Sequence, residues 1–412
     1  MGRRLGWCLG LPVRVLRGSL AVCRRQSPLA VRPVATAPCC KPGCGIHHAA
    51  AGGAQREAPT MLSAHDSTVS SSALASRAQR VPLPLPSAPR APAEGGRREA
   101  APEWADHALR ATRAELQHGL MQPQAQVSPK YLYDARGCDL FEQITRLPEY
   151  YPTRTEAAIL ADSGAAMAEA LRGSEVLIEL GAGNCEKVRG LCRSLRPRHF
   201  VGVDIAGAFL RQSVRRLAEE FPQLQTHAVT ADITEPLTLP PHIPQAGRLL
   251  FYPGSSIGNF DPVQAQRMLG QMRAMVNDDG GLLIGIDLPK STQWLEPAYD
   301  DAQGVTARFN LNLLSHVNSL LGSDFNPDDW EHVAFFNAEH SRIEMHLRAR
   351  RPLIVGWPQG LRHFSAGETI HTENSYKYPL PEFLGMLACA GFGPCQVWTD
   401  ERQWFAVIHA HA

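Results

Sequence analysis

The 412-residue sequence contains no apolar run near the roughly 18–20 residues that a membrane-spanning helix requires. That absence argues against a helical span within it. Net charge is also nearly absent: 41 basic and 40 acidic side chains leave a formal +1. A dedicated nucleic-acid binder needs a basic face or stripe, and none is suggested. None of the ten cysteines pairs with another in C-x-x-C spacing, which argues against a structural zinc site and a secreted disulfide framework. Cys138, Cys185, Cys192, Cys389 and Cys395 are expected as reduced thiols, and the expected setting is the cytoplasm.

Acidic residues are missing altogether from positions 1–56, an Arg-rich stretch that holds the other five cysteines. The next positions, to about 102, are rich in Ala, Pro, Ser and Arg (RVPLPLPSAPRAPAEGG) and show no helical or strand period. Such composition buries too little apolar surface to offset its ordering entropy, so 1–102 is expected to be a disordered or non-native extension. Two origins compete for it: an organelle transit peptide, or translation from upstream of a true start. The second is preferred, with Met61 and Met121 as internal candidates, although starting at Met121 would discard part of the apparent fold. CCKPGCGIHH (39–48) offers Cys and His without a complete ligand spacing; it is not read as a metal site, and no metal is expected elsewhere.

From about residue 103 the character changes. Trp104–Leu120 has helical spacing, and Thr153 with Glu156 three residues on reads as a capping box opening a helix to about Arg172. Short apolar runs follow: VLIEL (176–180), HFVGVD (199–204), QTHAVTAD (225–232), RLLFYP (248–253) and GLLIGID (281–287). They read as strands buried on both faces. Between them, Leu210, Val214, Leu217 and Phe221 form one helical stripe, and Asp261-Pro262 with Gln264 caps a helix carrying Met268, Met272 and Met275. This alternation predicts an α/β, doubly wound, Rossmann-like domain.

Residues 289–378 interrupt that pattern with a helix around Tyr299, a polar loop (GSDFNPDDWEH) and a strictly alternating strand. In that strand Ile343, Met345, Leu347 and Ala349 oppose Arg342, Glu344, His346, Arg348 and Arg350, as in a half-buried antiparallel sheet. A helix (Pro381–Ala390) and the strand pair GPCQVWTD and QWFAVIHA should then complete the first sheet. The expected division is 103–160 and 289–378 as a discontinuous α+β substrate domain, with 161–288 and 379–412 as the nucleotide-binding core.

The first strand runs into VLIELGAGNCEK (176–187). Gly181 and Gly183 let the backbone approach a ligand closely. The dinucleotide fingerprint needs a third glycine, and Cys185 and Glu186 stand there instead. Glu179 precedes the turn, Asp204 ends the second strand, and Asp232-Ile233 end the third, where carboxylates suit ribose hydroxyls and an adenine amino group. Acids capping strand ends would look the same one at a time. Their joint placement at successive carboxyl ends points to S-adenosylmethionine over NAD.

LYDARGCDLFEQITRLPEYYPTRTE, LIELGAGNCEK, PGSSIGNFDP, AYDDAQGVTARFNLN, RIEMHLRARR and GETIHTENSYKY occur in that order. From about residue 113 onward the chain resembles the histidine-specific, S-adenosylmethionine-dependent methyltransferases of ergothioneine biosynthesis. The resemblance implies that Gly181, Lys187, Asp204, Asp232 and Ile233 hold S-adenosylmethionine, and that Tyr150, Asn259, Tyr299, Glu373 and Ser375 hold L-histidine. The activity implied is three successive methylations of the histidine α-amine, giving trimethylhistidine (hercynine). The residues suit this: Glu373 can accept from one imidazole nitrogen while Ser375 serves the other, and Met345 adds to a pocket fitted to imidazole over indole. Tyr133 and Asn259 are expected to position the amine, with no dedicated base assigned, and His346 is read as structural. A monomer acting on a free amino acid, with no nucleic-acid or membrane partner, is expected. Alternatives are an N-methyltransferase of another aromatic amino acid such as a tryptophan derivative, a non-catalytic cofactor-binding protein, or an NAD-dependent enzyme.

Overall fold

The computed structural model describes residues 103–412, so the expectations for 1–102, including the 39–48 motif, lie outside the described residues. The first helix is Glu103–Leu120, followed by a two-residue strand, β1 (Ala125–Gln126). Next come β2 (Val176–Leu180), β3 (His199–Asp204), β4 (Gln225–Thr230), β5 (Arg248–Tyr252) and β6 (Gly281–Asp287). After these, β7 (Trp330–Asn337) and β8 (Arg342–Ala349) precede a hairpin, β9 (Leu353–Trp357) with β10 (Gly360–Phe364). β11 (Thr369–Tyr376), β12 (Cys395–Thr399) and β13 (Phe405–His411) complete the chain.

Seven strands form one sheet in the order β12-β13-β6-β5-β2-β3-β4. β2 to β6 are mutually parallel, and β13 pairs antiparallel with both β6 and β12. Helices cover both faces, because consecutive strand residues point to opposite sides. Val176, Ile178 and Leu180 pack with Met268, Leu269 and Met272 of the helix Pro262–Met275. Leu177, Phe200 and Phe251 pack with Val188, Leu191 and Leu210 on the other side. The expected doubly wound α/β layering is therefore present. Of the five parallel strands only β4 departs from burial on both faces: it lies at one edge of the sheet, and its residues are exposed or half-buried.

A second sheet has the order β1-β11-β8-β7, with β1 parallel to β11 and the rest antiparallel. The helix Val305–Leu321 lies in its core through Phe309, Leu313, Leu314 and Val317. Several local expectations are corrected here. Tyr299 lies in the turn region between the short helix Thr292–Leu295 and Val305–Leu321, not in a helix. The polar loop ends earlier than expected, since Trp330, Glu331 and His332 already belong to β7. β8 is buried on both faces over most of its length, because Glu344 and His346 are covered as well as Ile343 and Met345. Thr153 does not cap a helix: the helix Tyr151–Asp162 starts two residues earlier with Pro152 in its first turn, and a break at Ser163 separates it from Gly164–Ala170.

Candidate functional site

The strand order reverses between β2 and β5, and open α/β sheets bind ligands at such a point, outside the carboxyl ends of the strands. A cavity of about 1170 Å³ lies there. Gly181, Gly183, Lys187, Asp204, Asp232 and Ile233 all line it, together with Glu179. Gly181 has φ +67° and Gly183 φ +49°, and a Cβ built on either would meet no atom within 4 Å, so the turn leaves an open cradle. Asp204 accepts from the Gly183 N–H (2.9 Å) and the Ala206 N–H (2.8 Å), which locks the turn onto the end of β3. Glu179 is buried, and its Oε2 has no hydrogen-bond partner among the described residues. Burial pushes its carboxyl well above the ordinary value, with Lys187 opposing. An orphaned buried acid beside an open glycine cradle fits a ligand bearing hydroxyl or ammonium donors.

Asp232 is more engaged than a free adenine acceptor would be. Its Oδ1 accepts from the Thr234 N–H (3.0 Å) and hydroxyl (2.6 Å), and its Oδ2 pairs with Lys130 (3.1 Å). Burial alone would raise this carboxyl, but the Thr234 bonds and Lys130 hold it below its ordinary range. Lys130 also meets Glu115 at 2.9 Å, so the N-terminal helix is tied to the end of the core sheet.

Lys187 does not project alone. Its Nζ lies 2.7 Å from Glu156 Oε2, while Glu156 Oε1 accepts from the Gly254 N–H at 2.7 Å. Gly254 has φ +80°, which strains any residue with a side chain, and an added Cβ there would sit 2.7 Å from the Lys187 ammonium and displace it from Glu156. Glu156 thus joins the helix Tyr151–Asp162, the glycine turn and the loop after β5. Its partners are 31 and 98 residues away, which is why its short-range capping spacing misled.

Beside the large cavity, and sharing part of its wall, is a pocket of about 50 Å³. Tyr133, Tyr150, Asn259, Tyr299, Met345, Glu373 and Ser375, all seven expected from the sequence, line this inner pocket. Tyr133, Tyr150, Asn259 and Glu373 line both spaces. The aromatic wall is made of edge-to-face pairs: Tyr150–Tyr299 at 6.0 Å and Tyr133–Phe309 at 5.6 Å between ring centres. Asn259 comes from the turn Ser256–Asn259, just ahead of the capping box of Asp261 and Gln264, and donates to Glu373 Oε1 at 3.2 Å. The pairing of β11 with β8 shifts register between His371 and Glu373. Burial pushes the Glu373 carboxyl up to about 8, against the opposing charge of Lys377. Burial likewise pushes the Tyr133 and Tyr150 phenols well above their ordinary value, which makes either a poor source of phenolate.

At the back of the pocket Tyr299 and Ser375 belong to a buried polar cluster whose other members, Lys377, Asp287, Lys290 and Tyr151, sequence reading did not single out. Tyr299 Oη and Ser375 Oγ are 2.7 Å apart, and the Lys377 ammonium lies 3.0 Å from the first and 2.7 Å from the second. Lys377 also pairs with Asp287 at 2.8 Å, and Asp287 receives Lys290 at 2.5 Å and the Tyr151 hydroxyl at 2.6 Å. Burial alone would raise the Asp287 carboxyl, but the two lysines hold it below its ordinary range. Lys377 stands inside the motif GETIHTENSYKY, yet nothing in its spacing names a partner 90 residues away at the end of β6.

Glu344, His346 and His371 form a separate cluster whose ligand-type atoms lie within 4.8 Å of one another. The two rings are stacked, with centres 4.6 Å apart and planes 14° from parallel, and Phe335 stacks on His346. Near-parallel faces cannot both aim an in-plane lone pair at one ion. Glu344 is also taken up by Arg342 (2.6 Å), Asn337 (2.9 Å) and His346 (2.9 Å). His371 Nε2 lies 3.1 Å from the Glu373 carbonyl oxygen, beside the register shift.

Residues 112–412 match the family described as "Histidine-specific methyltransferase, SAM-dependent". The chain is 41% identical over 302 residues to a protein named histidine N-alpha-methyltransferase from Mycolicibacterium smegmatis, covering 72% of this chain and 93% of that one. It is 28% identical over 309 residues to N-methyltransferase imqF of Aspergillus flavus, covering 71% and 84%. It is also 27% identical over 267 residues to ergothioneine biosynthesis protein 1 of Schizosaccharomyces pombe, covering 62% and 34%.

Proposed function

The chain belongs to the histidine-specific, S-adenosylmethionine-dependent methyltransferase family, and from that membership we propose that it methylates the α-amino nitrogen of L-histidine three times, giving trimethylhistidine, as the first step of ergothioneine biosynthesis. One observation carries the substrate reading. The inner pocket sets a buried carboxylic group, Glu373, and a hydroxyl pair, Tyr299 and Ser375, in its wall, and shares Tyr133, Tyr150, Asn259 and Glu373 with the glycine-turn cavity.

S-Adenosylmethionine, when bound, supplies a methyl group already activated on a sulfonium. The chain's own part is alignment and exclusion of water. In this reading Gly181, Gly183, Lys187, Asp204, Asp232 and Ile233 hold the methyl donor, with Lys187 acting through Glu156 to set the turn. Tyr150, Asn259, Tyr299, Met345, Glu373 and Ser375 hold histidine, and Tyr133 with Asn259 positions the amine. The raised phenols of Tyr133 and Tyr150 favour loss of the amine proton to water over transfer to a tyrosinate. Their ring faces suit the cationic amine that accumulates. The proposal assigns no step to a metal, because displacement at a sulfonium requires none.

The same reading takes 103–160 with 289–378 as the substrate domain, and 161–288 with 379–412 as the core. It takes the enzyme as a cytoplasmic monomer acting on a free amino acid. No helix among the described residues is long and apolar enough to cross a membrane. Incubating the purified protein with S-adenosylmethionine and an amino-acid mixture tests the function. Mass spectrometry should find histidine alone gaining up to three methyl groups. Methyl gain on another amino acid, or on none, would overturn it.

A further inference from the structure

Resting on that substrate reading, we infer that Lys377, anchored by Asp287, is a positioning residue that turns the Tyr299–Ser375 pair into a one-way hydrogen-bond donor, so that the pocket selects a neutral ring with one acceptor nitrogen and one N–H. The number of protons available to the cluster fixes this direction. An ammonium has three donors and accepts nothing. Lys377 is buried, and its three neighbours are Tyr299 Oη at 3.0 Å, Ser375 Oγ at 2.7 Å and Asp287 Oδ2 at 2.8 Å. Each hydroxyl oxygen therefore receives a proton from Lys377. The pair shares one more proton across its own 2.7 Å contact, whichever oxygen donates it. Two hydroxyls carry two protons, so one O–H remains, and both side chains line the inner pocket.

Asp287 fixes the arrangement from behind. It is fully buried at the end of β6, and Lys290, Tyr151 and the Ser255 hydroxyl on its backbone N–H leave it no freedom to release Lys377. The leftover O–H must meet a lone pair on the ligand, because an unpaired donor in a dry pocket is costly. The ring's remaining N–H then faces Glu373, which must accept it as a carboxylate. The charges and dipoles facing Glu373 are Lys377 on the same strand end, Asn259 from the turn, and the phenols of Tyr133, Tyr150 and Tyr299. Lys377 is the cation among these and favours the carboxylate. An imidazolium, with donors on both nitrogens, would oppose the hydroxyl proton and be refused.

The test compares L-histidine with 3-(2-thienyl)alanine, a flat five-membered ring lacking the acceptor nitrogen, by calorimetry on protein saturated with S-adenosylhomocysteine. The native protein should prefer histidine by about 100-fold or more. Lys377→Met should shrink that ratio at least about tenfold, mainly by weakening histidine, while S-adenosylhomocysteine binds as before. An unchanged ratio in the folded variant would overturn the inference and leave the substrate reading intact. Should Lys377→Met fail to fold, nitrogen-15 NMR of labelled histidine bound to the native protein at pH 7 decides. One protonated and one hydrogen-bonded unprotonated ring nitrogen is expected, and a doubly protonated ring would refute it. A folded native protein that binds no histidine would sink the substrate reading, and this inference with it.

Discussion

Glu373 is the residue on which recognition turns, and its burial gives it a pH signature. The carboxyl is pushed from 4.5 up to about 8, whereas its role requires the ionised, accepting form. Histidine binding must then release a proton below about pH 8, so kcat/KM for histidine should climb as pH rises from about 6.5 toward 8. Glu373→Gln should make that limb shallower, leaving the rise due to loss of the amine proton, and Glu373→Ala should cost about two to three orders of magnitude while easing entry of larger aromatic side chains. A stability consequence has the opposite slope. Because the unfolded carboxyl ionises first, the ligand-free protein loses stability as pH rises from 4.5 to about 8 and levels off above that. Glu373→Gln should therefore melt higher than the native protein at pH 8 and alike at pH 5; equal melting at both would refute the assigned burial penalty. The seven pocket residues were legible because they stand in motifs of recognisable order. Glu156, Lys130, Asp287 and Lys377 were not, because each is defined by a partner far away in the chain.

At the scale of elements, two segments carry the same capping spacing and only one uses it. Asp261 accepts from the Val263 and Gln264 N–H groups and Gln264 reaches back to Asp261, with Pro262 opening the helix. Thr153 has an equally good partner at Glu156, but Pro152 already lies in the first turn, so the helix begins at Tyr151 and Thr153 falls inside it. Glu156 is thereby free to face Lys187 and Gly254. Urea unfolding should separate the two. Asp261→Ala is expected to cost about 1 kcal/mol, and Thr153→Ala less than about 0.5 kcal/mol. Comparable losses would mean that the second box is real. The parallel strands were readable as elements because burial on both faces imposes a continuous apolar run. β7 was not, since Trp330–His332 continue the polar stretch GSDFNPDDWEH, in which Phe325 and Trp330 are the only large apolar side chains. The helix Val305–Leu321 was misplaced around Tyr299 because Asn310 and Asn312, buried in its interior, blur the apolar stripe.

On the scale of the described molecule, the two sheets meet where their chain ends cross. β11 runs into Lys377 and Tyr378, and these touch β6 at Asp287 through a side chain and a backbone N–H. The cavity at the switch point and the inner pocket consequently share Tyr133, Tyr150, Asn259 and Glu373 as common wall. A ligand in either space orders side chains that the other ligand also needs, so the ordering cost falls on whichever binds first. Histidine should accordingly bind at least about tenfold more tightly with S-adenosylhomocysteine present than without it, and S-adenosylhomocysteine should gain by the same factor from histidine. Paired calorimetric titrations measure both legs. Tyr150→Ala removes part of the shared wall without touching the glycine turn, and should reduce the factor more than it weakens S-adenosylhomocysteine alone. Equal histidine affinity with and without S-adenosylhomocysteine in the native protein would show that the two spaces act independently, despite the side chains they have in common.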